Sequence, residues 1–184
     1  MIILKQSKQL GLQIVMNVLR ILIVVMIGIS SVWADNASNK ITTLGISNLQ
    51  HPLDNVYASG QPTEELFSGI ANAGVQVIVN LRPKSEQNWN EQAIVESFGM
   101  RYINLPIAGA DGVTNENAKR LDMILAELDG KQVLVHCSSS NRFGALRALS
   151  SFQKNGGDVN AAIEDGNKWG LTKLESLVRE KLSQ

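Results

Sequence analysis

The chain reads as an α/β domain, a central and mostly parallel β-sheet flanked by helices, and three observations carry that expectation. Short apolar runs rich in β-branched residues, Val75 to Val79 and Gln132 to His136, have the composition of buried strands. Between them lie stretches whose apolar residues recur at helical spacing, such as Ala118, Leu121, Leu125 and Leu128. The two kinds of segment alternate from about Ile41 to the end, which is the pattern of successive βαβ units.

Taken in order, Val56 to Ala58 predicts a short strand ending at Ser59-Gly60. Pro62 to Glu65 should open a helix, because proline suits the first turn and acids there complement the dipole. Leu66, Phe67 and Ile70 form its apolar stripe and Gly74 ends it. After the strand at Val75 to Val79, a helix is expected from Asn90 to Phe98, closed by Gly99, and then a strand from Tyr102 to Leu105, stopped by Pro106. Thr114 caps the helix carrying Ala118 and Leu121, and Asp129-Gly130 turns the chain into the strand Gln132 to His136. Phe143, Leu146 and Leu149 belong to the next helix, terminated by Asn155-Gly156-Gly157. Asp158 caps another, and a last helix runs from about Lys173 to Leu182.

Composition bounds the function. With 184 residues and 44% hydrophobic content, one compact domain with a real core is expected. Basic and acidic residues are equal at 17 each, so no whole-surface field attracts nucleic acid, and any anion site must be local.

The first 34 residues have the layout of a secretory signal: Lys5, Lys8 and Arg20 without an acid, the apolar run Ile21 to Ile29, then Ser30 to Ala34. Met16 would serve as an alternative start. Cleavage is expected after Ala34, giving an exported protein, periplasmic or secreted. An uncleaved membrane anchor is the alternative, although the run falls short of the roughly 18 apolar residues of a spanning helix. Residues 35–44 then read as a linker, polar from Asp35 to Lys40, and 45–184 as the domain.

One cysteine excludes a disulfide framework. By composition Cys137 could be a small buried hydrophobe, as most free cysteines are, but its neighbours say otherwise. The stretch Val133 to Gly144 is a strand, a short loop of small residues (Ser138, Ser139, Ser140, Asn141) and a helix opening on Arg142. Successive N–H groups in such a loop form an anion nest, and the helix N-terminus adds partial positive charge. That field favours the thiolate of Cys137, and Arg142 supplies a planar fork for two oxygens of a tetrahedral anion. Because the C-terminal ends of parallel strands share one edge, the segments Asn80 to Pro83 and Pro106 to Val113 should lie beside it. That would bring Arg82 and Asp111 towards Cys137.

Four stretches together resemble the bacterial dual-specificity-phosphatase-like family. They are Tyr57-Ala58-Ser59-Gly60-Gln61-Pro62, Val79-Asn80-Leu81-Arg82-Pro83, His136-Cys137 through Arg142 with Gly144-Ala145-Leu146, and Gly170-Leu171-Thr172. The group lies within the cysteine-dependent tyrosine phosphatase superfamily, and the phosphatase-like domain of beta-lactamase-hydrolase-like proteins is its nearest likeness. The resemblance implies a cysteine-phosphatase-like fold and hydrolysis of phosphomonoesters on protein or on a small molecule. In it Cys137 forms a phosphocysteine, Arg142 binds the phosphoryl oxygens, an Asp protonates the leaving group, and no metal or other cofactor is needed.

Asp111 is the expected general acid, with Glu116 as the substitute; Asp111-Gly112 is equally an ordinary turn pair. Ser138, Ser139, Ser140 and Asn141 are expected to bind substrate through backbone N–H groups, their hydroxyls orienting water. Arg82 would broaden the positive mouth, or else pair with Glu86. His136 either supports the thiolate or is a satisfied strand-end histidine. His51, before Pro52, is read as structural in an early loop, and Trp89 and Trp169 as packing residues. Two departures open alternatives. Four residues separate Cys137 from Arg142 where larger tyrosine phosphatases have five, a loop length that a rhodanese-type sulfurtransferase carrying a persulfide shares. Ser140 stands where relatives carry glycine, which at positive φ costs on the order of 1 kcal/mol and leaves open a non-catalytic anion- or partner-binding module.

Overall fold

The computed structural model describes residues 40–53 and 55–183. The strands are β1 (Gln50–Leu53), β2 (Val56–Ser59), β3 (Val77–Asn80), β4 (Arg101–Asn104) and β5 (Val133–His136). They form one sheet in the order β1-β2-β5-β3-β4, with β1 antiparallel to β2 and the remaining pairs parallel. The helices are α1 (Leu66–Asn72), α2 (Glu91–Ser97), α3 (Asn115–Glu127), α4 (Asn141–Lys154), α5 (Val159–Lys168) and α6 (Glu175–Leu182).

Strand alternation divides the core into two faces. Ala58, Val77, Val79, Val133 and Val135 point to the side covered by α3, α4, α5 and α6, where they meet Leu121, Phe143, Leu146 and Ile163. Tyr57, Ile78 and Leu134 point to the other side, against Phe67 and Ile70 of α1 and Val95 of α2. The parallel part is in register at its C-terminal end: Ser59 and Asn80 both align with His136, and Asn104 aligns with Asn80. Each strand thus changes from apolar to polar at one row, which is the row that faces the site.

Several expectations are corrected by the packing. His51 is not in a loop but in β1, an edge strand that tolerates Pro52 because one side of it needs no ladder partner. Its ring stacks on Tyr57 at 4.1 Å between centroids. Helix α1 starts at Leu66, not at Pro62, and Thr63 to Glu65 form the turn before it, so the acids lie ahead of the first helical turn. The chain is already packed at Ile41, which is fully buried in the core, ahead of the boundary read at residue 45. The signal segment and most of the linker read in residues 1–44 lie outside the described residues. No described helix is long and apolar enough to cross a membrane.

Helix caps follow the sequence closely. Thr114 Oγ1 accepts from Asn117 N at 3.2 Å, Asn90 Oδ1 from Ala93 N at 3.2 Å and Asp158 Oδ1 from Ala161 N at 3.0 Å. One glycine has a direct bearing on the site. A Cβ on Gly144 would lie 2.2 Å from the backbone N of Leu171, so only glycine lets the turn after α5 close onto the first turn of α4.

Candidate active site

Strand β5 ends at His136, and the next residue, Cys137, is 1% exposed at the floor of a depression of about 330 Å³. Glu86, Gly109, Ala110, Ser138, Ser139, Asn141, Arg142 and Leu174 form the rest of its wall. The walls come from the segments after β3, β4 and β5, which the shared strand register delivers to one edge. Ser140 adopts the left-handed conformation (φ 64°, ψ −15°) immediately before α4. A left-handed residue beside right-handed ones turns successive amides to one side, the geometry of an anion nest.

Arg142 is 7% exposed and its fork is fully engaged. Nη1 donates to Glu86 Oε1 at 3.0 Å and to the Ile107 carbonyl at 2.8 Å. Nη2 donates to Glu86 Oε2 at 2.6 Å and to Ser138 Oγ at 2.8 Å. The hydrogen bond from Arg142 holds the Glu86 carboxyl below the usual carboxylate range, against the opposing effect of its partial burial. Burial works to lower the Arg142 pKa, but the Glu86 hydrogen bond and the neighbouring Cys137 outweigh it and the net direction is up. The guanidinium is therefore a permanent cation beside the sulfur.

A second polar arm reaches the other end of the loop. His136 Nε2 and Glu91 Oε1 are 2.7 Å apart with both residues buried, and Gln61 Nε2 donates to Glu91 Oε2 at 2.8 Å. Arg82 donates through Nη1 to Gln61 Oε1 and through Nη2 to the Glu86 carbonyl, while its Nε lies 3.6 Å from Glu86 Oε2. Arg82 thus serves Glu86 and Gln61, and it is not in the wall of the depression.

Asp111 is exposed and follows directly on Gly109 and Ala110, which face Cys137, whereas Glu116 is exposed in the first turn of α3. The loop hydroxyls divide: Ser138 Oγ faces Arg142, but Ser140 Oγ is spent on the Trp169 carbonyl at 2.8 Å, so it has no water to orient. Asn141 turns its side chain away from the depression, and its Oδ1 accepts from Thr172 N at 2.8 Å and Leu174 N at 3.3 Å. Trp169 is buried edge-on to Phe143 and Trp89 packs on Phe67.

A family model described as "DSP-PTPase phosphatase fused to NAD+ Kinase" matches residues 40–171. The chain belongs to this family. It is therefore a cysteine-type phosphatase in lineage and fold. The beta-lactamase hydrolase-like protein of Xylella fastidiosa is 36% identical over 97 residues, which make up 50% of this chain and 22% of that protein's length. A solved putative phosphatase (DUF442) from Shewanella putrefaciens CN-32 is 25% identical with a TM-score of 0.58, covering 76% of this chain and 93% of its own. The P. aeruginosa phosphatase TpbA, solved in complex with pTyr, shares the fold at 20% identity and TM-score 0.55, covering 74% of this chain and 91% of its own. The sulfurtransferase alternative finds no support among these matches.

Within the phosphatase loop, Ser140 is accommodated in place of glycine by a specific exchange. A Cβ on Gly170 would lie 2.7 Å from the Ser140 Cβ, so the space that a glycine at 140 would leave is instead left at 170. The hydroxyl bond to Trp169 offsets the backbone strain, each on the order of 1 kcal/mol. Ser140→Gly should thus change stability by less than about 1 kcal/mol, whereas Ser140→Ala, which keeps the strain and loses the bond, should cost about 1–2 kcal/mol. Urea unfolding of the two variants checks that order; a more stable alanine variant would refute the compensation.

Reasoning from sequence missed two acids. Glu86 was read only as a partner for Arg82, yet it also binds Arg142, and Glu91 looked like a dipole-complementing acid in a first helical turn. No local signal separates such an acid from a buried partner of His136, because the contact spans 45 residues.

Proposed function

We propose that the chain hydrolyses phosphomonoesters through a phosphocysteine at Cys137. The observation that carries this is the pairing of Cys137 with the pinned guanidinium of Arg142 at the floor of one depression, beside a left-handed loop residue. In the first step the Cys137 thiolate attacks phosphorus, the S–P bond forms and the P–O ester bond breaks, and the leaving oxygen takes a proton from Asp111. In the second step water attacks phosphorus and gives a proton back to Asp111, the S–P bond breaks, and inorganic phosphate leaves. Arg142 and the loop amides hold the three non-bridging oxygens in both steps.

The substrate class is a phosphorylated protein or a small phosphoester. The pTyr bound to TpbA, a structure of the same fold, supports a phosphoester ligand for this depression. The test is release of inorganic phosphate from an aryl phosphate by the purified chain, with thiosulfate and cyanide offered in parallel. Phosphate release without thiocyanate supports the reading, and thiocyanate alone would end it.

Asp111→Asn separates the acid from a plain turn residue. On phenyl phosphate, whose leaving group needs a proton, kcat should fall about 100-fold. On an aryl phosphate with a good leaving group the first step survives, and a burst of phenol should precede slow turnover. Equal losses on both substrates, with no burst, would remove Asp111 from the mechanism and turn attention to Glu116.

A further inference from the structure

The Ser59-Gly60-Gln61-Pro62 segment is used by no step above, yet Gln61 sits at the junction of the two polar arms. From the residue before Cys137 the contacts run His136, Glu91, Gln61, Arg82, Glu86 and Arg142, and so return to the far end of the same loop. Gln61 is the only uncharged link in this sequence of contacts. On one side it must donate to a buried carboxylate, Glu91 at 2% exposure, and on the other it must accept from the Arg82 guanidinium. A primary amide is the one side chain of that length that offers both. The amide also donates to the Pro62 carbonyl at 3.1 Å, which fixes its plane. The backbone beneath it is anchored by the Gly60 N–H to the Ser47 carbonyl at 2.8 Å and by a bridge between Gly60 and Ser139 of the loop itself.

We propose that Gln61 is a positioning residue that couples His136 to Arg142, so that the thiol end and the guanidinium end of the loop are held as one unit. It touches neither the sulfur nor the substrate and acts only through Glu91 and Arg82. The inference deepens the phosphatase reading, on which its kinetic readout rests; its chemical readout does not depend on turnover.

Three variants test it: Gln61→Glu, Gln61→Leu and the exchange Gln61→Glu with Glu91→Gln. The chemical readout is the rate at which Cys137 is alkylated by iodoacetate relative to iodoacetamide, since the excess for the anionic reagent reports the Arg142 clamp. The kinetic readout is kcat/KM on an aryl phosphate, and circular dichroism confirms folding. Gln61→Glu sets two carboxylates against each other at the Glu91 contact and should lower the iodoacetate preference and kcat/KM about tenfold, as for groups coupled within one network. The double exchange keeps every hydrogen bond and the total charge, so it should restore most of both. If Gln61→Leu does not fold, Gln61→Glu and the exchange still decide, because both preserve the shape of the wild type. Folded single variants with unchanged reagent preference would sink the proposal, as would an exchange that restores nothing. A wild type that prefers iodoacetate in a Gln61-dependent way but releases no phosphate would uphold the coupling and overturn the phosphatase reading alone.

Discussion

Replacing Cys137 by serine is expected to reduce phosphate release to background, a loss on the order of 10⁴-fold or more, while leaving anion binding intact. The sulfur sits at the floor of the depression with Arg142 alongside, and among its walls no other thiol, histidine or lysine stands ready to take over the attack. A serine hydroxyl at neutral pH is not ionised and has no base beside it: His136, the one nearby imidazole, is committed through Nε2 to Glu91. Affinity should behave in the opposite way. Removing a thiolate takes away the like charge facing a phosphate dianion, so the serine variant should bind inorganic phosphate at least as tightly as the wild type. Steady-state kinetics and calorimetric titration of phosphate together check this. A serine variant retaining a tenth of wild-type turnover would place the nucleophile elsewhere.

Arg142→Lys should lose binding and rate together, with kcat/KM falling about 10²–10³-fold, the usual cost of one oxyanion donor. The reason lies in the shape of the wild-type contacts. Both terminal nitrogens of Arg142 are bonded to the two oxygens of Glu86, and each has a further partner, Ile107 or Ser138. Four bonds in one plane fix the guanidinium so that its orientation is set before substrate arrives. An ammonium is a point donor: it can satisfy one Glu86 oxygen but cannot span both and still face the phosphoryl group. Glu86 would then be left as an underpaired anion in the mouth, repelling the substrate. Wild-type phosphate affinity in Arg142→Lys would show that the fork is not the clamp.

Much of the fold was legible because its signals are local. The strands are short β-branched runs, and Thr114, Asn90 and Asp158 cap the helices that their positions predict. The antiparallel strand β1 escaped, since Gln50-His51-Pro52-Leu53 has neither alternation nor a β-branched run and is held by its pairing with β2 alone. The start of α1 was placed too early because proline followed by acids is equally the composition of the turn that precedes it.

The site divides along the same line. Cys137, the small loop residues and Arg142 are neighbours in the chain, so their meeting is decided by a strand, a turn and a helix that the sequence itself specifies. What the sequence alone determined is therefore the thiol, the nest and the fork, each within six residues of the next. What only the tertiary structure decided is who holds them. Glu86, Glu91, Gln61, Arg82 and the Ile107 carbonyl arrive from other strands and helices, brought to one edge by the register of the parallel sheet. The room for Ser140 likewise came from Gly170, thirty positions along the chain. Contacts of that range depend on how elements pack, and no spacing along the chain encodes them.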